Sequence, residues 1–253
     1  MLELEKVDGI LVLRLNNPAK LNAWSGAMRE DVQKALASAD KDTAIVAAVI
    51  TGTGERSFCA GADLTDPSMS IPSAAEGRMA AFREFYFGIQ SFRKPLVAAL
   101  NGLTLGSAFQ AVLLMDYRVA HPAVRLGLPE INSGMPCITG SAILSWCVGP
   151  MLARSIAISG RFVGAEEALR LGVLEEIVAP ENVVERSLQV AQELAAKSPE
   201  AFAETKLWFR DLTLPALDAA FARASEVRAK ENVARSVKAG ITGFFAGERN
   251  KNA

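Results

Sequence analysis

Histidine is almost missing: among 253 residues there is one, His121, in the pair His121-Pro122, which reads as a surface turn. A single imidazole argues against a histidine-dependent triad and against a histidine-rich metal site. Cysteine is also scarce. Cys59, Cys137 and Cys147 are odd in number and widely spaced, with no CxxC pair and no Cys/His cluster. They read as reduced, packed thiols, not as a disulfide framework or metal centre. Neither sign of charge is in excess: 27 basic and 28 acidic residues leave a net charge of −1, with a pI of about 6.0. That balance argues against a broad nucleic-acid-binding surface. No apolar run approaches a membrane span, and Met1–Lys6 lacks the basic and apolar parts of a leader peptide. These absences lead to the expectation of a cytoplasmic protein with no metal, no nucleic acid and no membrane partner. Gly52-x-Gly54 lacks the third glycine of a dinucleotide loop, and neither Ser107 nor Ser141 lies in a Gly-x-Ser-x-Gly elbow.

What is present is apolar: 50% of the residues are hydrophobic and 22% charged, enough for one large domain with a sizeable core, or that and a small one. Ile10–Leu15 reads as a first strand between Asp8-Gly9 and Asn16-Asn17-Pro18. Ser25 is an N-cap candidate for a helix that places Met28, Val32, Ala35, Leu36 and Ala39 on one face. Ile45–Ile50 and Leu96–Leu100 are continuous apolar runs, as expected of buried strands. Between them, Pro67 and Pro72 mark a polar loop, followed by a helix with Met79, Phe82, Tyr86 and Ile89 at helical spacing. Gly106–Met115 reads as a helix, Tyr117–Ala120 as a strand, Ala165–Leu171 as a helix stopped by Gly172, and Val173–Val178 as a strand. Val184, Leu188, Ala191, Leu194 and Ala195 mark an amphipathic helix. From Ser198 onward only helical patterns remain, with breaks expected at Pro215 and Gly240. The alternation predicts an α/β core over residues 1–197 and a helical region, a lid or oligomerisation element, over 198–253.

Two stretches of small residues stand out, each after a strand-like run: Phe58-Cys59-Ala60-Gly61-Ala62-Asp63-Leu64 and Asn101-Gly102-Leu103-Thr104-Leu105-Gly106-Ser107-Ala108-Phe109-Gln110. Small residues let backbone N–H groups approach a ligand, and two such stretches can aim a pair of donors at one oxygen. Leu15–Ala23, Lys94-Pro95, Asp116–Ala120, Leu126-Gly127-Leu128-Pro129-Glu130, Ser159-Gly160-Arg161 and Leu171-Gly172-Val173 accompany them in order. Together these segments resemble the crotonase superfamily, the enoyl-CoA hydratase/isomerase family, over nearly the whole chain. The resemblance implies a spiral of ββα units with a helical C-terminal region, assembled as trimers or dimers of trimers. It also implies an acyl-CoA substrate, with coenzyme A entering as part of the substrate and no other cofactor.

By the same resemblance, the Ala62 and Ser107 amides form the oxyanion hole, Glu130 transfers the proton, and Lys20, Ala23, Ala60, Ala62, Asp63 and Leu64 lie along the CoA arm. Asp63 is expected to shape its loop or contact CoA, and Lys251 to reach a phosphate. Met79, Phe82, Phe85 and Tyr86 are candidates for the acyl pocket. Three departures matter. Gly106-Ser107-Ala108 replaces the family's usual three glycines, Gln110 stands where many hydratases have glutamate, and the loop after Glu130 has lost the usual Pro-Gly-x-Gly-Gly pattern.

Removing the acidic α-proton of a thioester puts charge on its oxygen. One fixed donor aimed there is worth about 3–4 kcal/mol in the transition state. Burial of Glu130 would raise its pKa toward working pH. Gln110, three residues after Ser107 on the same helix side, can hold a water or a substrate oxygen but cannot exchange a proton. Moving a double bond needs one base, whereas the familiar hydratases use two carboxylates. The single glutamate therefore favours an enoyl-CoA isomerase. Hydration, decarboxylation, thioester hydrolysis or a weakly catalytic CoA-ester-binding role are the alternatives.

Overall fold

The computed structural model describes residues 1–251, and the side chains of residues 1–243. Two sheets make its centre. The larger contains β1 (Leu2–Val7), β2 (Ile10–Leu15), β3 (Ala47–Gly52), β5 (Leu96–Leu100), β7 (Tyr117–Ala120) and β10 (Glu176–Ile177), in that spatial order. The smaller contains β4 (Ser57–Cys59), β6 (Leu103–Leu105), β8 (Arg125–Gly127) and β9 (Phe162–Gly164). The chain visits the sheets alternately: β3 then β4, β5 then β6, β7 then β8, with a helix closing most turns. This is the spiral of ββα units expected from the resemblance.

The central strands are buried on both faces, which is why they read as continuous apolar runs. Ala48, Ile50, Leu96, Ala98 and Leu100 face the main core, while Ala47, Val49, Val97, Ala99 and Val119 pack against Val183, Val190 and Ala191 of α7 (Val183–Ala195). In α1 (Gly26–Lys41), Ser25 caps the N-terminus by accepting from the Met28 N–H at 3.2 Å, and the apolar face is buried as the spacing predicted. Helix α2 (Ala75–Ser91) buries Met79, Phe82, Phe85, Tyr86 and Ile89. The remaining helices are α3 (Ser107–Leu113), α4 (Ile138–Val148), α5 (Pro150–Ser159), α6 (Ala165–Arg170), α8 (Pro199–Arg228) and α9 (Glu231–Lys251).

Several expectations need correction. β1 was not anticipated; its exposed Leu-Glu alternation pairs antiparallel with β2 at the sheet edge. The expected strand Val173–Val178 shrinks to two residues, because the Val173 and Leu174 N–H groups instead donate to the Ala168 carbonyl and close α6. His121 opens the expected surface turn, its carbonyl accepting from the Val124 N–H at 3.1 Å with Pro122 and Ala123 exposed, but its own side chain is buried, Nδ1 accepting from the Ala123 N–H. Cys147 is exposed, not packed. Pro215 does not end α8. Pro215 and Asp211 are exposed, so water can take the Asp211 carbonyl that lacks its helical donor, and the Thr213 hydroxyl donates to the carbonyls of Phe209 and Arg210. The break falls instead at Ala229-Lys230.

Gly240 does not break α9 either. It lets the helix touch the turn that follows β8: a Cβ there would stand 2.3 Å from the Ser133 carbonyl carbon. On the other side Gly134, at φ +69°, would put a Cβ 2.5 Å from the Ser236 carbonyl oxygen. Helix and turn thus meet backbone to backbone. Among the described residues, no helix is long and apolar enough to cross a membrane.

Candidate active site

Three neighbouring parallel strands of the small sheet deliver the site. β4 pairs with β6 through Ser57↔Leu103 and Cys59↔Thr104, and β6 pairs with β8 through Thr104↔Leu126 and Leu105↔Gly127. Their C-terminal ends carry Ala60-Gly61-Ala62, Gly106-Ser107 and Leu128-Pro129-Glu130. Segments separated in sequence by more than twenty residues come together at one sheet edge.

The contact between the first two loops requires glycine. Gly61 has φ +91°, and a Cβ on it would lie 2.7 Å from the Leu105 carbonyl oxygen and 3.4 Å from the Ser107 nitrogen. Gly106, at φ +55°, turns β6 into α3. The early loop braces this junction. The Trp24 N–H donates to the Gly61 carbonyl at 2.9 Å, the Asp63 N–H to the Trp24 carbonyl at 3.2 Å, and the Ala60 N–H to the Leu21 carbonyl at 3.0 Å. The Ala62 N–H makes no hydrogen bond among the described residues, and Ser107 opens α3, where its N–H has no helical acceptor. Two backbone donors thus remain at adjacent loops. The Ser107 hydroxyl accepts from the Trp24 indole Nε1 at 3.0 Å, so its oxygen is held while its proton stays available.

Glu130 lies in a short 3-10 turn, Pro129–Ser133, closed by Gly134 in the left-handed region. A Cβ built on Gly106 would be 3.6 Å from Glu130 Oε1, which places the carboxylate against the second oxyanion loop. Glu130 is 8% exposed, and burial raises its pKa above the usual glutamate range, opposed by the hydrogen bond from the Gln110 amide.

Gln110 is arranged differently from the expectation. Its Nε2 donates to Glu130 Oε1 at 2.8 Å, and its Oε1 accepts from the Tyr86 hydroxyl at 3.1 Å and the Thr139 hydroxyl at 2.8 Å. An ionised Glu130 can only accept, so the amide presents its NH₂ to it and its oxygen to the Tyr86 and Thr139 hydroxyls, the single Tyr86 proton being shared with the Ser107 carbonyl at 3.1 Å. Gln110 therefore holds the carboxylate and not a substrate oxygen. Glu130 Oε2 is buried with no partner among the described residues, which makes it the oxygen free to take a proton.

These groups line a cavity of about 110 Å³, together with Met69, Met79, Phe82, Tyr86, Met135 and Phe221. Of the expected residues, Ala60, Ala62, Leu64, Ser107, Gln110 and Glu130 line it. Lys20, Ala23, Asp63 and Phe85 do not. Lys20 Nζ donates to Asp63 Oδ2 and to the Thr65 hydroxyl, both at 2.8 Å, and Asp63 Oδ1 accepts from the Thr65 N–H, so this cluster shapes the loop from outside the cavity. Ala23 is 7% exposed, and Phe85 packs edge-on against Trp24. Lys251 has no described side chain. Sequence reasoning missed Arg228, the last residue of α8, which also lines the cavity; nothing in its local sequence sets it apart. Among the described residues, no cluster of three His, Cys, Asp or Glu side chains fit to hold a metal is present.

The chain matches the enoyl-CoA hydratase/isomerase family over residues 5–252. It is 35% identical over 219 residues to the 2,3-dehydroadipyl-CoA hydratase of Escherichia coli, covering 86% of this chain and 85% of that protein. It is 31% identical over 197 residues to the crotonyl-CoA hydratase of Syntrophomonas wolfei, covering 77% and 75%. Among solved structures, the Pseudomonas aeruginosa protein DspI superposes with a TM-score of 0.78 at 28% identity, covering 89% of this chain and 92% of that one. With both loops, the glutamate and the spiral in place, the chain belongs to the enoyl-CoA hydratase/isomerase family of acyl-CoA-processing enzymes.

Proposed function

We propose that the protein is a double-bond isomerase of acyl-CoA thioesters that uses Glu130 as its only proton-transfer group. The observation that carries this reading is the commitment of the Gln110 amide to Glu130 Oε1. Glu130 is the only carboxylate among the described residues that line the cavity. Glu130 Oε2 takes a proton from C2 of a 3-enoyl thioester. Charge moves onto the thioester oxygen, where the Ala62 and Ser107 N–H groups stabilise it. The same carboxyl returns the proton to C4, and the double bond then lies between C2 and C3. The thioester's CoA arm leaves along Ala60–Leu64, past the Lys20–Asp63 pair. Assembly into trimers or dimers of trimers accompanies this reading. It is supported by the exposure of Trp208, Phe209 and Leu212 on α8, at 65%, 61% and 60%, and native mass spectrometry tests it.

A second reading is hydration of a 2-enoyl-CoA, as the names of both curated relatives state for those proteins. The deciding experiment runs 3-enoyl-CoA and 2-enoyl-CoA in heavy water, followed by mass spectrometry. Isomerisation gives the 2-enoyl product with no added oxygen, and Glu130→Gln abolishes it while CoA-ester binding persists. Unchanged turnover in that variant sinks the single-glutamate mechanism. Rapid conversion of 2-enoyl-CoA to a 3-hydroxy product favours hydration, in which case Gln110→Glu should increase the rate.

A further inference from the structure

The proton-transfer scheme leaves one charged group of the cavity unused. Arg228 Nε is buried with no partner, Nη1 has only the Met135 sulfur at 4.0 Å, and Nη2 makes no hydrogen bond among the described residues. A guanidinium carries five N–H donors, so nearly the whole fork is unspent. Arginine stays protonated in proteins, and burying such a cation without a partner is costly.

Glu130 is near enough to draw on this charge, yet no ion pair joins the two within 4.0 Å. Glu130 is also a poor permanent counter-ion, because its charge disappears whenever it carries the proton. The surroundings add positive charge. Arg78 is close enough for its own pKa to be pushed down to about 10, by burial first and by the Arg228 charge second. Its head group donates to the Ser68 carbonyl. Arg29 stacks over the Phe82 ring at 4.0 Å, directly behind the cavity wall. Asp66 is the one carboxylate that acts on both.

We propose that the acyl portion of the substrate bears a second carboxylate, which the Arg228 guanidinium receives inside the cavity. This rests on the reading of the cavity as the acyl pocket. A planar fork matches a carboxylate bidentately, and the anion supplies the partner that Arg228 lacks.

The test is a matched pair of non-reacting probes of equal carbon number, glutaryl-CoA and pentanoyl-CoA, titrated calorimetrically into the full-length protein. Glutaryl-CoA should bind about tenfold or more tightly, the scale of a charge-assisted bidentate contact. Arg228→Met should erase that ratio through loss of glutaryl-CoA affinity, and Arg228→Lys should keep part of it. Equal affinities in the unaltered protein overturn the proposal without any variant, as does a preference that survives in Arg228→Met. Glu130→Gln separates this idea from the proton-transfer scheme. The carboxylate preference should persist in that variant, whereas α-proton exchange from any thioester should vanish. Loss of the preference in Glu130→Gln also counts against Arg228 as the anion's receptor.

Discussion

The two ends of the cavity are built by different means. At the oxyanion end, β4 and β6 hold Gly61 against Ser107, and Trp24 bonds to both loops. Apart from the Trp24 indole, the contacts there are backbone or small side chain, in segments tied into a sheet. At the Glu130 end, the carboxylate sits in a short turn roofed by α9 and faced by Gln110, Tyr86 and Thr139 from three helices, with Arg228 from a fourth. The first end offers fixed dipoles and no titratable group. The second concentrates the charges. A single frame can therefore keep one intermediate while its charged end decides where the proton and the acyl chain go.

The comparison breaks most severely at Glu130. Glu130→Gln should lower turnover by about a hundred- to ten-thousand-fold, the range of a positioned acid–base group, measured with a 3-enoyl thioester. The same variant has a stability signature. A carboxyl whose folded pKa is raised stabilises the fold below the ordinary glutamate value, and that contribution is lost as pH rises through the raised value. Glu130→Gln should thus raise the thermal midpoint relative to the unaltered protein at alkaline pH and not at pH 4. A midpoint difference that does not depend on pH would count against the buried, raised carboxyl.

Next come the two glycine contacts. Gly61→Ala should cost about 1–3 kcal/mol of stability by overpacking and weaken binding of an enolate-mimicking thioester analogue. Gly240→Ala should cost a similar amount by pushing α9 off Ser133, but leave binding of that analogue nearly intact while lowering turnover. If both variants lose analogue affinity equally, the two ends are not separable.

A smaller effect belongs to Gln110→Leu. It removes the donor that pulls the Glu130 pKa down, so the pKa rises further. The acid limb of the rate profile then moves to higher pH, with roughly a tenfold loss at pH 7 from one charge-assisted hydrogen bond. Tyr86→Phe should be the mildest, about 0.5–1.5 kcal/mol for one neutral hydrogen bond, read as a two- to tenfold change in kcat with KM held.

The oxyanion end was legible in the sequence because local chemistry specifies it. Small residues follow apolar runs, glycine stands where φ is positive, and Lys20 and Asp63 sit in segments the resemblance already joins. The face Met79, Phe82, Tyr86 was legible for the same reason, as helical spacing of large apolar side chains. The partners of Glu130 were not. From sequence the Gln110 amide reads as holding a water or a substrate oxygen, because its hydroxyl donors come from α2 and α4 and its acceptor from the turn after β8, which no spacing rule connects to residue 110. Arg228 closes a thirty-residue helix whose path over the cavity is a tertiary fact. The expected break at Pro215 was a local rule outweighed by exposure of the carbonyl it orphans. The exposed Leu-Glu alternation of β1 carries too little apolar surface to announce a strand, and pairing with β2 decides it.

Contacts through side chains have slack: rotamers shift and methionines bend. Gly240 on Ser133 and Gly134 on Ser236 leave no such layer between α9 and the turn that carries Glu130. Two main chains pressed together are stiff, so a displacement of the helix is passed on to the carboxylate almost undamped. Whatever grips α9 from outside holds a rigid lever on the base, and a shift of an ångström there is a shift in where the proton is delivered.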